Sequence, residues 1–500
     1  MRIVIFAISL LIWGCSSDSG SSKKDTKETQ STSPDENTVL AGSLAFITVD
    51  DAPYLDDSSS LNNVRVVTDD NKLAPLENYM TLNINQAEST SLAGQLFDVS
   101  STKINPFTQD IYFVLNHPVA SKTGGEVDCW LLKVENGEKV SKCVALGASV
   151  ESFYDHDRSQ YFELSELHDL KFDEGGAVYF LGYPNGQQPE SSFKSLYKLG
   201  NDENLTMIAD ESEFIHGFDV NRAGVVFVWG DADPFYPDFS KKSDEKFISI
   251  YKTDGTKVTL PNINPEDSNV MITRILFFTV DIWDGLIYAP EQDARSDHFI
   301  YKLTFDKDFK IDQTVALSKV SDSDSNTEIS WPFLAKKDKD GRVFGLASPS
   351  GYGDPFPGED INVEPIFHLY QFDLSQGSDG NFSSTKKVIT GFNENVEAYE
   401  VIDSSIYYYG TIRDTSDRFF RKRPVGGGEF QSVADDVDVI RKMTKNTDGS
   451  LMFTNCSFDT AQDCNLGQIK KDSTSIGDTP DIGSLRGIEP TKKVVIQKVD

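Results

Sequence analysis

The chain has 500 residues, 38% of them hydrophobic, enough for one large domain or several smaller ones. Asp and Glu number 79 against 47 Lys and Arg, a formal charge of -32. A surface that acidic repels phosphate backbones and anionic headgroups, which argues against nucleic acid and peripheral lipid as partners.

The first element is a short apolar one. Arg2 precedes Ile3 to Trp13, in which Ser9 is the only polar residue. The run matches a signal-peptide core and falls short of the ~20 residues that cross a bilayer. Ile12-Trp13-Gly14-Cys15 follows. This resembles the lipobox of bacterial lipoproteins, in which an aliphatic residue, a small residue before the cut and a cysteine after it are recognised together. Trp13 departs from that pattern, which has a small residue there. The resemblance implies removal of residues 1–14, acylation of Cys15 and anchoring to a membrane of the bacterial cell envelope. Ser16, next to the cysteine, implies the outer membrane. Residues 16–36 contain no aliphatic or aromatic side chain. They cannot offset their own ordering entropy, so residues 15–39 are expected to be a disordered tether.

Residues 40–96 hold a first hairpin, Val64 to Leu76, turning at Asp69-Asp70-Asn71. From residue 97 a repeat sets in. Its first unit is a turn and a short strand ending in a large side chain: Gln109 to Tyr112, Gly176 to Tyr179, Gly224 to Phe227, Gly285 to Tyr288, Gly341 to Phe344, Ser404 to Tyr407 and Gly449 to Met452. The mean spacing is about 57 residues. Downstream of each comes an apolar-aromatic-Lys strand, as in Leu131-Leu132-Lys133, Leu196-Tyr197-Lys198 and Ile300-Tyr301-Lys302. Each period therefore holds about four strands with tight turns and no amphipathic helix.

One four-stranded sheet cannot bury both its faces, but a succession of them can. The expected fold is all-β, a seven-bladed β-propeller over residues 97–500. It resembles WD40 and kelch propellers in architecture only, since neither signature is present. Eight blades and tandem β-sandwiches are the alternatives. Residues 40–96 would supply ring closure or the extra blade, and Val494-Val495-Ile496 is a second strand for closure. The closing aromatics should pack between blades, and the repeated Lys should face solvent.

Besides Cys15, the cysteines form two close pairs, Cys129 with Cys143 and Cys456 with Cys464. In an exported chain this predicts two disulfides. Asn136-Gly137 lies midway between the first two and marks a hairpin that should set them face to face.

Candidate chemistry is sparse. Asp155-His156-Asp157 with His168-Asp169 is the densest group of metal-ligating types. Acidic runs at Asp50-Asp51, Asp56-Asp57, Asp231-Ala232-Asp233 and residues 321–325 supply oxygen donors of the kind Ca2+ takes, without a calcium-loop spacing. No cofactor is expected, Ca2+ being the one alternative. No nucleophile elbow, phosphate loop, dinucleotide fingerprint or zinc motif is visible. Aromatics recur between strands, at Trp229, Tyr236, Trp331 and Tyr352, and are the candidate binding residues. The expected function is a membrane-anchored, non-enzymatic binding or scaffold module for a protein or glycan. The alternative is an enzyme acting on cell wall or polysaccharide at the channel mouth.

Overall fold

The computed structural model describes residues 45–49, 62–67, 72–82, 98–120, 128–146, 170–182, 194–209, 214–231, 246–260, 274–281, 285–291, 301–305, 311–316, 329–338, 342–349, 367–376, 382–391, 393–435, 437–446, 449–456, 464–471, 473–477, 481–483 and 485–490. Among them, strands form eight four-stranded antiparallel sheets. Seven are simple meanders in chain order. The first comprises β4 (Val99–Ile104), β5 (Ile111–Ala120), β6 (Asp128–Val134) and β7 (Lys142–Leu146). The next comprises β8 (Lys171–Phe172), β9 (Val178–Gly182), β10 (Ser195–Leu199) and β11 (Leu205–Ala209). Then come β12 (Phe214–Val220), β13 (Val226–Asp231), β14 (Lys246–Tyr251) and β15 (Lys257–Leu260), followed by β16 (Arg274–Asp281), β17 (Gly285–Glu291), β18 (Tyr301–Phe305) and β19 (Ile311–Ala316). The last three are β20 (Ile329–Lys337) to β23 (Phe382–Val388) through β21 (Val343–Pro349) and β22 (His368–Gln376); β24 (Glu394–Ile402) to β27 (Gln431–Asp435) through β25 (Ser405–Ile412) and β26 (Arg418–Pro424); and β28 (Val439–Lys445) to β31 (Asp481–Gly483) through β29 (Leu451–Cys456) and β30 (Cys464–Ile469).

The eighth sheet is split along the chain. β1 (Ala45–Val49), β2 (Val64–Val67) and β3 (Leu73–Pro75) come from one end of the sequence, and β32 (Leu485–Pro490) comes from the other. Ala45 pairs with Pro490 and Ile47 with Ile488. The hairpin expected at Val64 to Leu76 is present, with Val67 opposite Leu73. The strand beside β1 lies upstream of Val494-Val495-Ile496, which falls outside the described residues.

The repeat maps onto this topology. Its first unit is the second strand of each meander and its second unit is the third strand. The second strands read as unbroken apolar runs because alternate side chains enter different cores. Ile111, Phe113 and Leu115 pack towards the split sheet, while Tyr112 and Val114 pack towards β8–β11. Val178 and Phe180 return into that second core, and Tyr179 and Leu181 enter the next. Ile406 and Tyr408 likewise oppose Tyr407 and Tyr409. Each fully buried side chain of this size is worth about 1.5–3 kcal/mol. The sheets β4–β7, β8–β11, β24–β27 and the split sheet are thus each covered on both faces, whereas a sheet in a two-layer sandwich buries one. The closing residues Tyr112, Tyr179, Phe344, Tyr407 and Met452 all pack against the next sheet, as expected.

Phe46 does the same in the split sheet, meeting Phe113 edge-on at 6.2 Å between ring centres. It is the equivalent residue of an eighth unit. The sequence pattern counts seven units because Val64-Arg65-Val66-Val67 has neither the aromatic nor the Lys of third strands such as Leu196-Tyr197-Lys198.

Two local expectations are corrected. The repeated Lys faces solvent at Lys470 but not throughout. Register sets Lys133 beside Tyr112 and Lys198 beside Tyr179. Their ammonium groups lie 6.0 and 5.4 Å from those ring centres, where the ring quadrupole attracts them. The Asn136-Gly137 hairpin is also wider than a two-residue loop. Glu138 closes a turn onto the Glu135 carbonyl, but pairing resumes only at Lys133 and Lys142. Cys143 therefore stands opposite Leu132, and bulges at Leu131 bring Cys129 to it diagonally. The Cys129–Cys143 and Cys456–Cys464 disulfides both form, the latter between directly paired residues.

Candidate binding end of the fold

In a meander, the first-to-second and third-to-fourth connections leave from one end. The second-to-third connections and the passages to the next sheet leave from the other. The two ends differ in kind.

At the first end, here the turn end, one device recurs. An Asn or Asp closes the inner strand, accepts an amide hydrogen bond on its side-chain oxygen and leads the chain back. Asp173 Oδ1 accepts from Ala177 N–H at 2.9 Å, Asn221 Oδ1 from Val225 at 2.9 Å and Asp338 Oδ1 from Arg342 at 2.8 Å. Gly176 and Gly224 follow three residues after the Asx with φ of 90° and 81°, a region that favours glycine. The turns also bind their neighbours. Asn105 Nδ2 donates to the Gly176 carbonyl at 3.2 Å, and Glu174 N–H donates to Arg222 O at 2.9 Å. Tyr179 O–H donates to Asp173 Oδ2 at 2.8 Å. Burial first, and then this carboxylate, push the Tyr179 phenol well above its usual range. Asp110 is held below the usual carboxylate range: burial raises it, but the Asn136 amide and the Lys133 ammonium 3.0 Å away outweigh that.

The opposite end, here the connection end, gathers the long segments, among them residues 147–170 and 350–367. Two of the four aromatic candidates, Trp229 and Trp331, lie on strands near it. Trp229 lies on β13 between Gly217 and Ile248, two residues from the strand's end there. Trp331 lies near the start of β20. Tyr236 and Tyr352 lie in connections that leave from the same end and are outside the described residues. So are Cys15, Asp50, Asp51, Asp56, Asp57, Asp155, His156, Asp157, His168, Asp169, Asp233 and residues 321–325. Asp231 ends β13, paired with Phe214 and Lys246.

Asparagines clamp adjoining sheets at this end, a feature with no periodic signal to reveal it in sequence. Asn63 Oδ1 accepts from Val99 N–H at 2.8 Å while its amide donates to Val99 O at 2.7 Å. Asn395 Oδ1 accepts from Phe367 N–H at 2.8 Å. His368, next to Phe367, is buried, with Nδ1 3.3 Å from Thr390 Oγ1; burial lowers its pKa.

The inner strands carry paired charges. Lys103 of β4 meets Glu489 of β32 at 3.3 Å, and Lys336 of β20 meets Glu400 of β24 at 2.9 Å. Each pair ties one sheet to the next and leaves neither partner as an isolated charge. Among the described residues no group of three or more His, Cys, Asp or Glu is arranged to hold a metal ion. What the geometry offers is a frame of paired sheets whose longer connections leave from one end.

No family model matches the chain, and no curated protein matches it. Solved structures do. Dipeptidyl peptidase 4 of Porphyromonas gingivalis superposes with a TM-score of 0.51 at 10% identity, over 89% of this chain and 60% of that one. The β-propeller domain of the trilobed protease of Pyrococcus furiosus superposes at 0.40 with 11% identity, over 77% of this chain and 97% of that one. The chain is an all-β protein of the β-propeller kind. At these identities the likeness is one of fold alone.

Proposed function

We propose that this is an eight-bladed β-propeller, closed by β32 beside β1, exported and held in the outer membrane of a bacterial envelope by acyl chains on Cys15. Its role is that of a non-enzymatic binding or scaffold module that engages a protein or glycan at the connection end.

One observation carries the reading. Ala45 and Pro490, where the two ends of the chain meet the fold, pair with each other at the turn end. The segment that leads back to Cys15 therefore joins the fold at the end opposite to the one near Trp229 and Trp331. Residues 16–44 span at most about 100 Å when extended, enough to hold the fold clear of a membrane. Aromatics suit a contact surface because they bring large area at low entropy cost. The acidic surface points to a partner that is not anionic.

Two experiments test the two halves of the proposal. A clickable fatty acid fed to cells should label the wild type and not Cys15→Ala, and equal labelling would refute the anchor. Affinity capture from envelope extracts should recover a protein or glycan with the wild type and lose it with Tyr236→Ala plus Tyr352→Ala. Unchanged recovery would refute the binding end.

A further inference from the structure

The cysteines other than Cys15 are distributed around the split sheet. Cys129 and Cys143 lie on β6 and β7, in the sheet that packs against one of its faces. Cys456 and Cys464 lie on β29 and β30, in the sheet that packs against the other. The five sheets further round contain no cysteine. The sulfurs also sit in the shared cores. Cys129, with Cys143 at its margin, packs in the cluster that holds Phe46, Val64 and Val66 of the split sheet. Cys456 and Cys464 pack in the cluster that holds Ala45, Ile47 and Val67.

The split sheet is the one place where the fold depends on strands from both ends of the chain. β1 and β32 are separated by more than 400 residues and meet through one ladder, Ala45 to Val49 against Leu485 to Pro490. Bringing them together costs more loop-closure entropy than any other pairing in the chain. Stiff flanking sheets would lower that cost by presenting two fixed apolar walls between which β1 to β3 settle.

We propose that the two disulfides are a redox lock on this seam, so that the seam between β1 and β32 closes stably only after oxidation of both pairs. Each closure joins two thiols in an S–S bond and gives up two protons and two electrons to an oxidant of the thiol–disulfide exchange class. Reduction by a phosphine reverses it, yielding two thiols while the phosphine takes oxygen from water. In the reducing cytoplasm the seam stays loose, and it locks after export. The inference rests on the closed ring proposed above.

The test is amide hydrogen exchange by mass spectrometry on the full chain, oxidised and after reduction with a water-soluble phosphine at neutral pH. Peptides covering 45–67 and 485–490 report the seam; peptides covering 214–260 report sheet β12–β15, remote from every cysteine. Reduction should speed exchange in the seam at least tenfold and leave 214–260 within twofold. Cys456→Ala with Cys464→Ala should reproduce the seam effect without reductant, since the seam needs both pairs. Seam protection unchanged by reduction would overturn the lock. So would an equal acceleration in both regions, because the disulfides would then stabilise the fold globally. Absence of protection in the seam of the oxidised protein would instead refute the closed ring itself.

Discussion

At the turn end, Asp173, Asn221 and Asp338 repeat one solution: a side-chain oxygen that satisfies an amide four residues on. Glycine follows at positive φ after the first two, and the connections span only a few residues. At the connection end, segments run from a few residues to the length of 147–170, and no two share a composition. The first end is fixed by backbone accounting, since every buried N–H and C=O at a tight turn needs a partner. At the second, Asn63 and Asn395 meet the same need between sheets, while the longer connections leave room for differences in sequence.

The contrast can be broken by mutation, and the largest effect is expected at the turn end. Tyr179→Ala removes a buried ring from the core between two sheets and strips Asp173 Oδ2 of the phenol donor, so denaturant unfolding should show a loss of about 3–5 kcal/mol. Tyr179→Phe keeps the ring and should cost about 1–1.5 kcal/mol, the share of the hydrogen bond. Gly224→Ala comes next. Its Cβ would lie 2.9 Å from Asp173 Oδ2 and 3.0 Å from Tyr179 Oη, at a φ that disfavours side chains, so about 1–3 kcal/mol should be lost.

A pH titration separates the ends differently. The folded pKa of His368 is lowered by burial from the usual 6.5, so the unfolded chain binds the proton first. Stability should fall as pH drops below the unfolded value and level off below the folded one. His368→Gln should flatten the acid limb in that window. Asp110 also has a lowered folded pKa, but its contribution is complete above the unfolded value near 3.8 and is lost only in stronger acid. The smallest effect on stability is expected at the connection end, where Tyr236→Ala with Tyr352→Ala should change unfolding by no more than about 0.5 kcal/mol.

These regions were also unequally legible from sequence. The second strands and their closing aromatics were readable because both faces are buried, which forces apolar runs such as Ile111-Tyr112-Phe113-Val114-Leu115. The Asx device was readable in principle, as Asp173 and Gly176 or Asn221 and Gly224 stand three apart, yet it was hidden among many acidic residues. The strands of residues 40–96 were open to reading as ring closure or an extra blade, but their partner β32 was not, because pairing between β1 and β32 leaves no local trace. The fate of the repeated Lys depended on register, which pattern alone does not supply. The aromatic candidates are recognisable as residue types, whereas the end near which Trp229 and Trp331 lie follows only from strand direction.

The most direct test of the two-ended account is photo-crosslinking in living cells, with a crosslinking amino acid placed singly at positions 236, 352, 138 and 429. Glu138 and Glu429 are exposed at the turn end. The account predicts high-mass adducts from 236 and 352 and none from 138 and 429. Adducts from 138 and 429 with none from 236 and 352 would contradict it.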